Sequence, residues 1–266
     1  MLLVIDVGNT NTVIGVYDQD ILKHSWRIRT VRDNTADEFN VLAKALFSDK
    51  GIPLTAITRV IVSSVVPSSV GILNGFSEKY LHLTPEWIQP ASVKTLMPIL
   101  YSNPSEVGAD RIVNAVAAYD KYKTGLIIID FGTATTFDVI SPAGEYLGGA
   151  IAPGIMISSE ALFQKASRLP RVEIFAPPKK VIGTDTIESM QSGIIHGNAA
   201  MVDGMVERMK KELDQPPRII ATGGLAPLIA GLSTTIEAVD QSLTLDGLRI
   251  IAREHNSTGR SAGPQA

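Results

Sequence analysis

Two short stretches, far apart in the chain, repeat one pattern. Leu2 to Tyr17 reads LLVIDVGNTNTVIGVY, and Leu126 to Ile140 reads LIIIDFGTATTFDVI. Each runs from an apolar, β-branched segment into Asp-x-Gly, through a polar turn, and into a second strand-like segment. Asp130 matches Asp6 and Gly132 matches Gly8 at one offset (130 − 6 = 124 and 132 − 8 = 124). One Asp-x-Gly-polar turn in each half implies two similar lobes, each begun by a strand hairpin, with their loops facing a shared cleft.

The turn has the residues that a bound triphosphate needs. Gly8 lets backbone approach an anion closely, while Asn9, Thr10, Asn11 and Thr12 offer side-chain and main-chain donors. Asp6, at a strand end, is placed to hold Mg2+ through water, because that ion keeps much of its hydration shell. A Walker loop or a dinucleotide fingerprint would pass from strand into helix, and neither pattern occurs here. Taken alone, the turn suits an ordinary hairpin equally well. The second copy decides for a phosphate site.

The composition closes off other classes. With 266 residues, 45% of them apolar and 19% charged, the chain has enough material for one large or two medium domains with a core. The net charge of −3 is spread without long runs, which argues against a nucleic-acid surface. There is no cysteine, so disulfides, iron–sulfur clusters and thiol catalysis are excluded. Asp6 interrupts the apolar N-terminus, which carries no basic segment, and no stretch reaches the length of a membrane span. A cytoplasmic protein is expected. His24, His82, His196 and His255 lack metal spacing and receive no role.

Along the chain, Asp37 to Phe47 has a helical stripe of Phe39, Leu42, Ala43, Leu46 and Phe47. Arg59 to Val66 reads as a strand stopped by Pro67, with a helix following to about Tyr80. Asn103-Pro104-Ser105-Glu106 carries helix-start signals, and Val107-Gly108 delays the helix to near Ala109. Leu147 to Gly154, rich in glycine, is expected to be a specially shaped loop before a helix to about Ser167. Asp185 starts a long helix containing Gly193, Gly197 and Gly204, a spacing that suggests a close neighbour, either another helix or a second subunit. Arg218 to Ala221 reads as a strand entering a Gly223-Gly224 turn, and Leu243 to Glu254 as a closing helix. The expected division is a lobe over residues 1–122, a second over 123–255, and a disordered tail over 256–266. In that tail, Gly259 to Gly263 fits a nucleophile elbow without a preceding strand, and Asn256-Ser257-Thr258 fits a glycosylation acceptor; both are chance matches.

Taken in order, Asp6-Val-Gly-Asn-Thr-Asn11, Gly108-Ala-Asp-Arg111, Asp130-Phe-Gly-Thr-Ala-Thr-Thr136 and Gly148 to Gly154 resemble the type III pantothenate kinases. Gly183-Thr184 and Thr222-Gly-Gly224 add to the likeness, which covers nearly the whole chain. The resemblance implies an α/β architecture of two similar lobes, each of the actin-like ATPase (ribonuclease H-like) fold, with the active site in the interlobe cleft. In that fold a Gly-Gly turn lies against the nucleotide base or ribose; from the residues alone a plain strand-to-helix turn is as good a reading. The resemblance further implies ATP-dependent phosphorylation of the primary hydroxyl of pantothenate, the first step towards coenzyme A. It also implies a homodimer, Mg2+, and a monovalent cation, K+ or NH4+.

The same likeness suggests roles. Asp110 is the candidate base, against the plainer reading of a first-turn aspartate that complements the helix dipole. Its neighbour Arg111 would tend to lower its pKa. Arg111 is expected to pair with the substrate carboxylate through its planar fork, rather than to form a surface ion pair. Gly108, Ala109, Tyr101 and Thr184 match positions that line the pantothenate pocket; otherwise Tyr101 would pass as a core aromatic and Thr184 as a cap. Asp6 through Thr12, Val7 included, would hold ATP with Thr133, Asp6 would organise Mg2+, and Asp130 would bind the monovalent cation. Competing readings are a kinase of the same fold acting on another small alcohol or sugar, and an ATP-binding regulator without catalysis. Tyr101, Gly108 to Arg111 and Thr184 argue against the first, and Asp6, Asp110 and Asp130 together against the second.

Overall fold

The computed structural model describes residues 1–257. It contains two five-stranded sheets. The first is built from β1 (Leu2–Val7), β2 (Asn11–Asp18), β3 (Ile21–Arg29), β4 (Arg59–Ser64) and β5 (Glu86–Trp87), with α1 (Ala36–Asp49), α2 (Ser69–Phe76) and α3 (Ala109–Tyr122). The second has β6 (Leu126–Phe131), β7 (Ala134–Ile140), β8 (Tyr146–Pro153), β9 (Arg218–Thr222) and β10 (Ala238–Val239). With it go α4 (Ile155–Lys165), α5 (Thr186–Lys210) and α6 (Ala226–Ala230), and the chain continues into α7 (Leu243–Ser257).

The strand orders are β3-β2-β1-β4-β5 and β10-β9-β6-β7-β8. Taken outward from β1 and from β6, they are the same order. β1 is antiparallel to β2 and parallel to β4; β6 is antiparallel to β7 and parallel to β9. The repeated turn motif is thus the visible part of a repeated sheet, as the resemblance implied.

Strand periodicity explains which side chains go inward. In β1, Leu3, Ile5 and Val7 face Phe39, Ala43 and Phe47 of α1 and Leu73 and Phe76 of α2. Phe39 and Phe76 meet edge to face at 5.0 Å, and Trp26 of β3 stacks on Phe47 at 5.2 Å. In β6, Ile127, Ile129 and Phe131 face a cluster that includes Ile194, Ile195, Val202 and Val206 of α5.

Compact units do not follow the expected division. Residues Met1–Ala117 and the described residues from Leu243 on form one unit, and Ala118–Ser242 form the other. The closing helix, expected in the second lobe, belongs to the first for a packing reason. A Cβ on Gly247 would overlap the carbonyl oxygen of Val113 in α3, so the two helices touch through bare backbone. Leu245 reaches Gly15, Tyr17 donates a hydrogen bond to Asp246 at 2.8 Å, and Thr244 donates to Asn114 at 2.7 Å. Arg59 forks onto Glu86 and also reaches the Ala252 carbonyl, while His255 contacts Glu86 at 3.2 Å.

Two other expectations are corrected. The stretch from Tyr146 to Pro153 is a strand, and its glycines serve a bulge: Gly148 sits at φ +132° where the register slips between Val139 and Ile140. Asn256 and Ser257, expected in a disordered tail, continue α7. The elbow-like segment Gly259 to Gly263 and Thr258 of the glycosylation match lie outside the described residues.

Gly247→Ala should therefore destabilise by about 1–3 kcal/mol, because rigid backbone must move to accept the methyl group. Gly71→Ala in α2, where nothing lies within 4 Å, should instead gain up to about 1 kcal/mol from helix propensity. Thermal unfolding of the two variants checks the contrast.

Candidate active site

The first loop closes between Val7 and Thr12, which are register partners, with Gly8 N–H donating to the Asn11 carbonyl at 3.0 Å. The segment after β3 then clamps it. Thr30 N–H donates to the Thr10 carbonyl at 3.0 Å, and the Thr30 hydroxyl donates to the Gly8 carbonyl at 2.7 Å. The Thr30 and Thr12 hydroxyls are 2.9 Å apart, so with Thr30 donating to Gly8, Thr12 donates to Thr30. Arg32 Nη2 donates to Asn9 Oδ1 at 2.9 Å. The loop carbonyls are thereby tied down at the rear while Asn9 and Thr10 stay exposed. Val7 is buried at 3% exposure, so what it can offer a ligand is its backbone.

Asp6 emerges from the face of β1 opposite Leu3, Ile5 and Val7, level with Val13 on β2 and Ser63 on β4. Asp130 repeats this position, level with Thr136 on β7 and Thr222 on β9. The second loop is one residue shorter, since Phe131 pairs with Thr135 and Gly132 N–H reaches the Ala134 carbonyl at 3.1 Å.

Glycines back this second loop. A Cβ on Gly154 would overlap the Thr133 carbonyl, and one on Gly223, at φ +92°, would lie 2.5 Å from Asp130 Oδ1 and 2.7 Å from the Phe131 carbonyl. The Gly-Gly turn is therefore more than a plain strand-to-helix connection. It presses against the carboxylate that ends β6.

Asn103 caps a short 3-10 turn over Pro104–Glu106, and α3 begins at Ala109, as the delayed start required. Asp110 lies in its first turn and accepts from the Arg111 N–H at 2.8 Å. A Cβ on Gly108 would stand 2.6 Å from Asp110 Oδ1, so a larger residue there would push that carboxylate aside. The same Cβ position is 3.7 Å from Val65 Cγ1, and Val65 N–H donates to the Val7 carbonyl at 3.1 Å. Asp110 is thus held close to the base of the first loop.

Burial pushes the Asp110 carboxyl above its ordinary value, and the Arg111 backbone bond and charge, which pull it down, do not prevail. The expected lowering is overturned because desolvation outweighs the arginine. Arg111 is itself 9% exposed, which rules out a surface ion pair. Ala109 is buried, whereas Tyr101 is exposed and so is no core aromatic.

Thr184 lies in the other unit. It walls an open groove of about 1000 Å³ between α4 and α5, with Ser158, Leu162, Lys165, Ser189 and Asn198. It is not the helix cap. Asp185 caps α5 by accepting from Glu188 N–H at 2.8 Å, and Glu188 reaches back to the Thr184 N–H and hydroxyl, each at 3.0 Å.

Among the described residues no three His, Asp or Glu side chains cluster as a metal centre. Mg2+ does not need one, since it is commonly held by one or two carboxylates together with phosphate oxygens and water. The hard oxygens of Asp6, beside a loop of amide and hydroxyl donors, fit that ion.

The profile of the type III pantothenate kinase family matches residues 2–208. A type III pantothenate kinase of Desulforapulum autotrophicum is 68% identical over 95% of this chain and 96% of its own. One from Desulfatibacillum aliphaticivorans is 62% identical over 94% and 97%. This chain belongs to the type III pantothenate kinase family. Among solved structures, component A of (R)-2-hydroxyglutaryl-CoA dehydratase from Acidaminococcus fermentans superposes with a TM-score of 0.56. It is 13% identical, covering 97% of this chain and 99% of that one, a likeness of fold alone, the two-lobed ATPase fold.

Sequence reasoning missed two residues that brace the first loop, Thr30 and Arg32. They follow a strand whose alternation of Leu22, Trp26 and Ile28 was the available signal. Gly108→Ala should displace the Asp110 carboxylate and lower turnover at least about tenfold, with the melting temperature nearly unchanged. Steady-state kinetics beside thermal unfolding checks this.

Proposed function

We propose that the chain transfers the γ-phosphoryl group of ATP to the primary hydroxyl of pantothenate, with Asp110 as the base. That the protein is an ATP-dependent kinase of coenzyme A biosynthesis follows from its family. The assignment of Asp110 rests on its place: a desolvated carboxylate beside Gly108, near Val65 and the end of β1 that opens into the first loop.

The chemistry asks mostly for positioning and charge stabilisation. Gly8, Asn9, Thr10, Asn11 and Thr12 present amide and hydroxyl donors to the phosphates, with Thr133 serving the same purpose in the second loop. Asp6 would hold Mg2+, which neutralises charge on the phosphates when bound. Asp110 accepts the hydroxyl proton as the oxygen–phosphorus bond forms, and ADP leaves. Arg111 pairs with the pantothenate carboxylate, and Tyr101 and Thr184 line its pocket. Asp130, pressed by Gly223 at the end of β6, is the ligand we assign to a monovalent cation, K+ or NH4+. The requirement for ATP supports a cytoplasmic location.

A homodimer is supported by two features of the second unit. Gly193, Gly197, Ala200 and Gly204 form an exposed stripe on α5, and among the described residues nothing beyond the helix's own adjoining backbone lies within 4 Å of where a Cβ on those glycines would stand. Among the described residues, then, no other helix is the close neighbour that their spacing suggested. Nearby segments also expose large apolar side chains, including Phe175 at 81% and Ile182 at 82%. Gly193 also lines the groove that carries Thr184, which ties that face to the pocket.

Three measurements test these readings. Phosphorylation of pantothenate should require K+ over Na+ and fall about 10²–10⁴-fold in Asp110→Asn; turnover that survives the substitution would remove Asp110 as base. Because Asp110 must be ionised to act and burial raises its pKa from the ordinary 3.8, the acid limb of kcat/KM should lie above that value. Gly197→Leu should convert a dimer to monomer by light scattering and weaken pantothenate binding; an unchanged mass would discard α5 as the interface.

A further inference from the structure

The loop from Asp6 to Thr12 contains no lysine or arginine and carries one carboxylate. Polyphosphate sites usually include a cationic side chain that pairs with the phosphate oxygens. The nearest candidates come from outside the loop.

β3 is the edge strand of the first sheet, and it ends beside the loop. Arg29 pairs in register with Asn11, so the two side chains rise from the same face of the sheet. Asp6 rises from that face too, because Asp6 pairs with Val13, and Val13 lies two residues from Asn11 on one strand. Three residues beyond Arg29, Arg32 donates through Nη2 to Asn9 Oδ1 at 2.9 Å, at the exposed tip of the loop.

Both arginines are exposed, and among the described residues neither forms an ion pair. Even Asp33, the adjoining acid, is not bonded to them. Exposed arginines commonly take a neighbouring carboxylate when one is in reach, so two unpaired guanidinium groups around a phosphate loop leave most of their donors available. The segment between them is not free to swing away. Thr30 fixes it through its bonds to Thr10, Gly8 and Thr12.

We infer that Arg29 and Arg32 form a cationic arm of the nucleotide site, supplying to the ATP polyphosphate the positive charge that the loop lacks. Asn9 holds Arg32 at the tip by one of its five donors, and the others meet phosphate oxygens. Arg29 acts from the sheet face at the other end of the loop. The inference rests on reading this loop as the ATP site.

Binding of ATP, ADP and AMP, measured by calorimetry at two salt concentrations, tests it without depending on pantothenate turnover. Wild type, Arg29→Ala, Arg32→Ala, the double variant and Arg32→Lys are compared, with kinetics in parallel. ATP affinity should fall about tenfold in Arg32→Ala, or roughly 1.4 kcal/mol. It should fall further in the double variant and recover in part in Arg32→Lys, where charge but not the planar fork is kept. AMP binding and the KM for pantothenate should not move, and the salt dependence of ATP binding should flatten. Equal loss for ATP and AMP would mean that Arg32 only braces the loop, and unchanged ATP binding in the double variant would leave the arm a solvated face; either result overturns the inference. Wild-type protein that binds ATP but does not phosphorylate pantothenate would instead remove the proposed reaction and leave this arm standing.

Discussion

Strand parity in β1 and β6 is the constraint on which the site depends. Leu3, Ile5 and Val7 each bury an apolar side chain against α1 and α2, a gain of about 1.5–3 kcal/mol apiece. A slip of one residue would drive Asp6 into that core in their place, so the register is held by several such side chains together. Asp6 therefore stands on the face away from that core because its neighbours are committed to it. The same holds for Asp130 between Ile129 and Phe131. The core does not merely support the carboxylates; its alternation decides where they point.

The duplicated sheets hold their loops by different means. In the first, a threonine and an arginine from the segment after β3 tie down the turn by side-chain hydrogen bonds. In the second, Gly154 and Gly223 bring backbone against the turn so closely that a single methyl group would displace it. The first solution leaves side-chain donors exposed at the tip. The second brings backbone carbonyl oxygens and a carboxylate close together, an oxygen-rich setting of the kind hard cations prefer. The two halves have one topology and unlike chemistry.

Much of this was legible in the sequence because it is local. The Asp-x-Gly turns announce themselves through residue types, and the capping signals at Asn103 and Asp185 act over three or four residues. The true start of α3 was readable from Gly108 for the same reason. What was not legible depends on partners distant in the chain. β3 alternates, but His24 interrupts its apolar rhythm, and it becomes a strand through pairing with β2. The stretch from Gly148 to Pro153 looked like a loop, yet β7 supplies the hydrogen bonds that make it a strand. The closing helix joins the first unit across more than a hundred residues, through Gly247 against Val113 and Tyr17 against Asp246. No local pattern carries that information.

Asp110 shows how far charge reasoning from sequence can mislead. Adjacency to Arg111 suggested a lowered pKa, but adjacency in a helix is not contact between side chains. What Arg111 gives Asp110 is a backbone N–H, and burial acts on the carboxylate more strongly than that bond and the arginine charge together. A carboxylate raised in this way accepts a proton more readily than an ordinary aspartate does. For the proposed base this matters less than its position, because the loose transition state of phosphoryl transfer needs little early deprotonation. Gly108 then has a specific purpose: it vacates the space beside Oδ1, letting the carboxylate sit where α3 begins and the chain from Val65 meets the first loop. Side-chain burial sets the basicity, and the missing side chain sets the position.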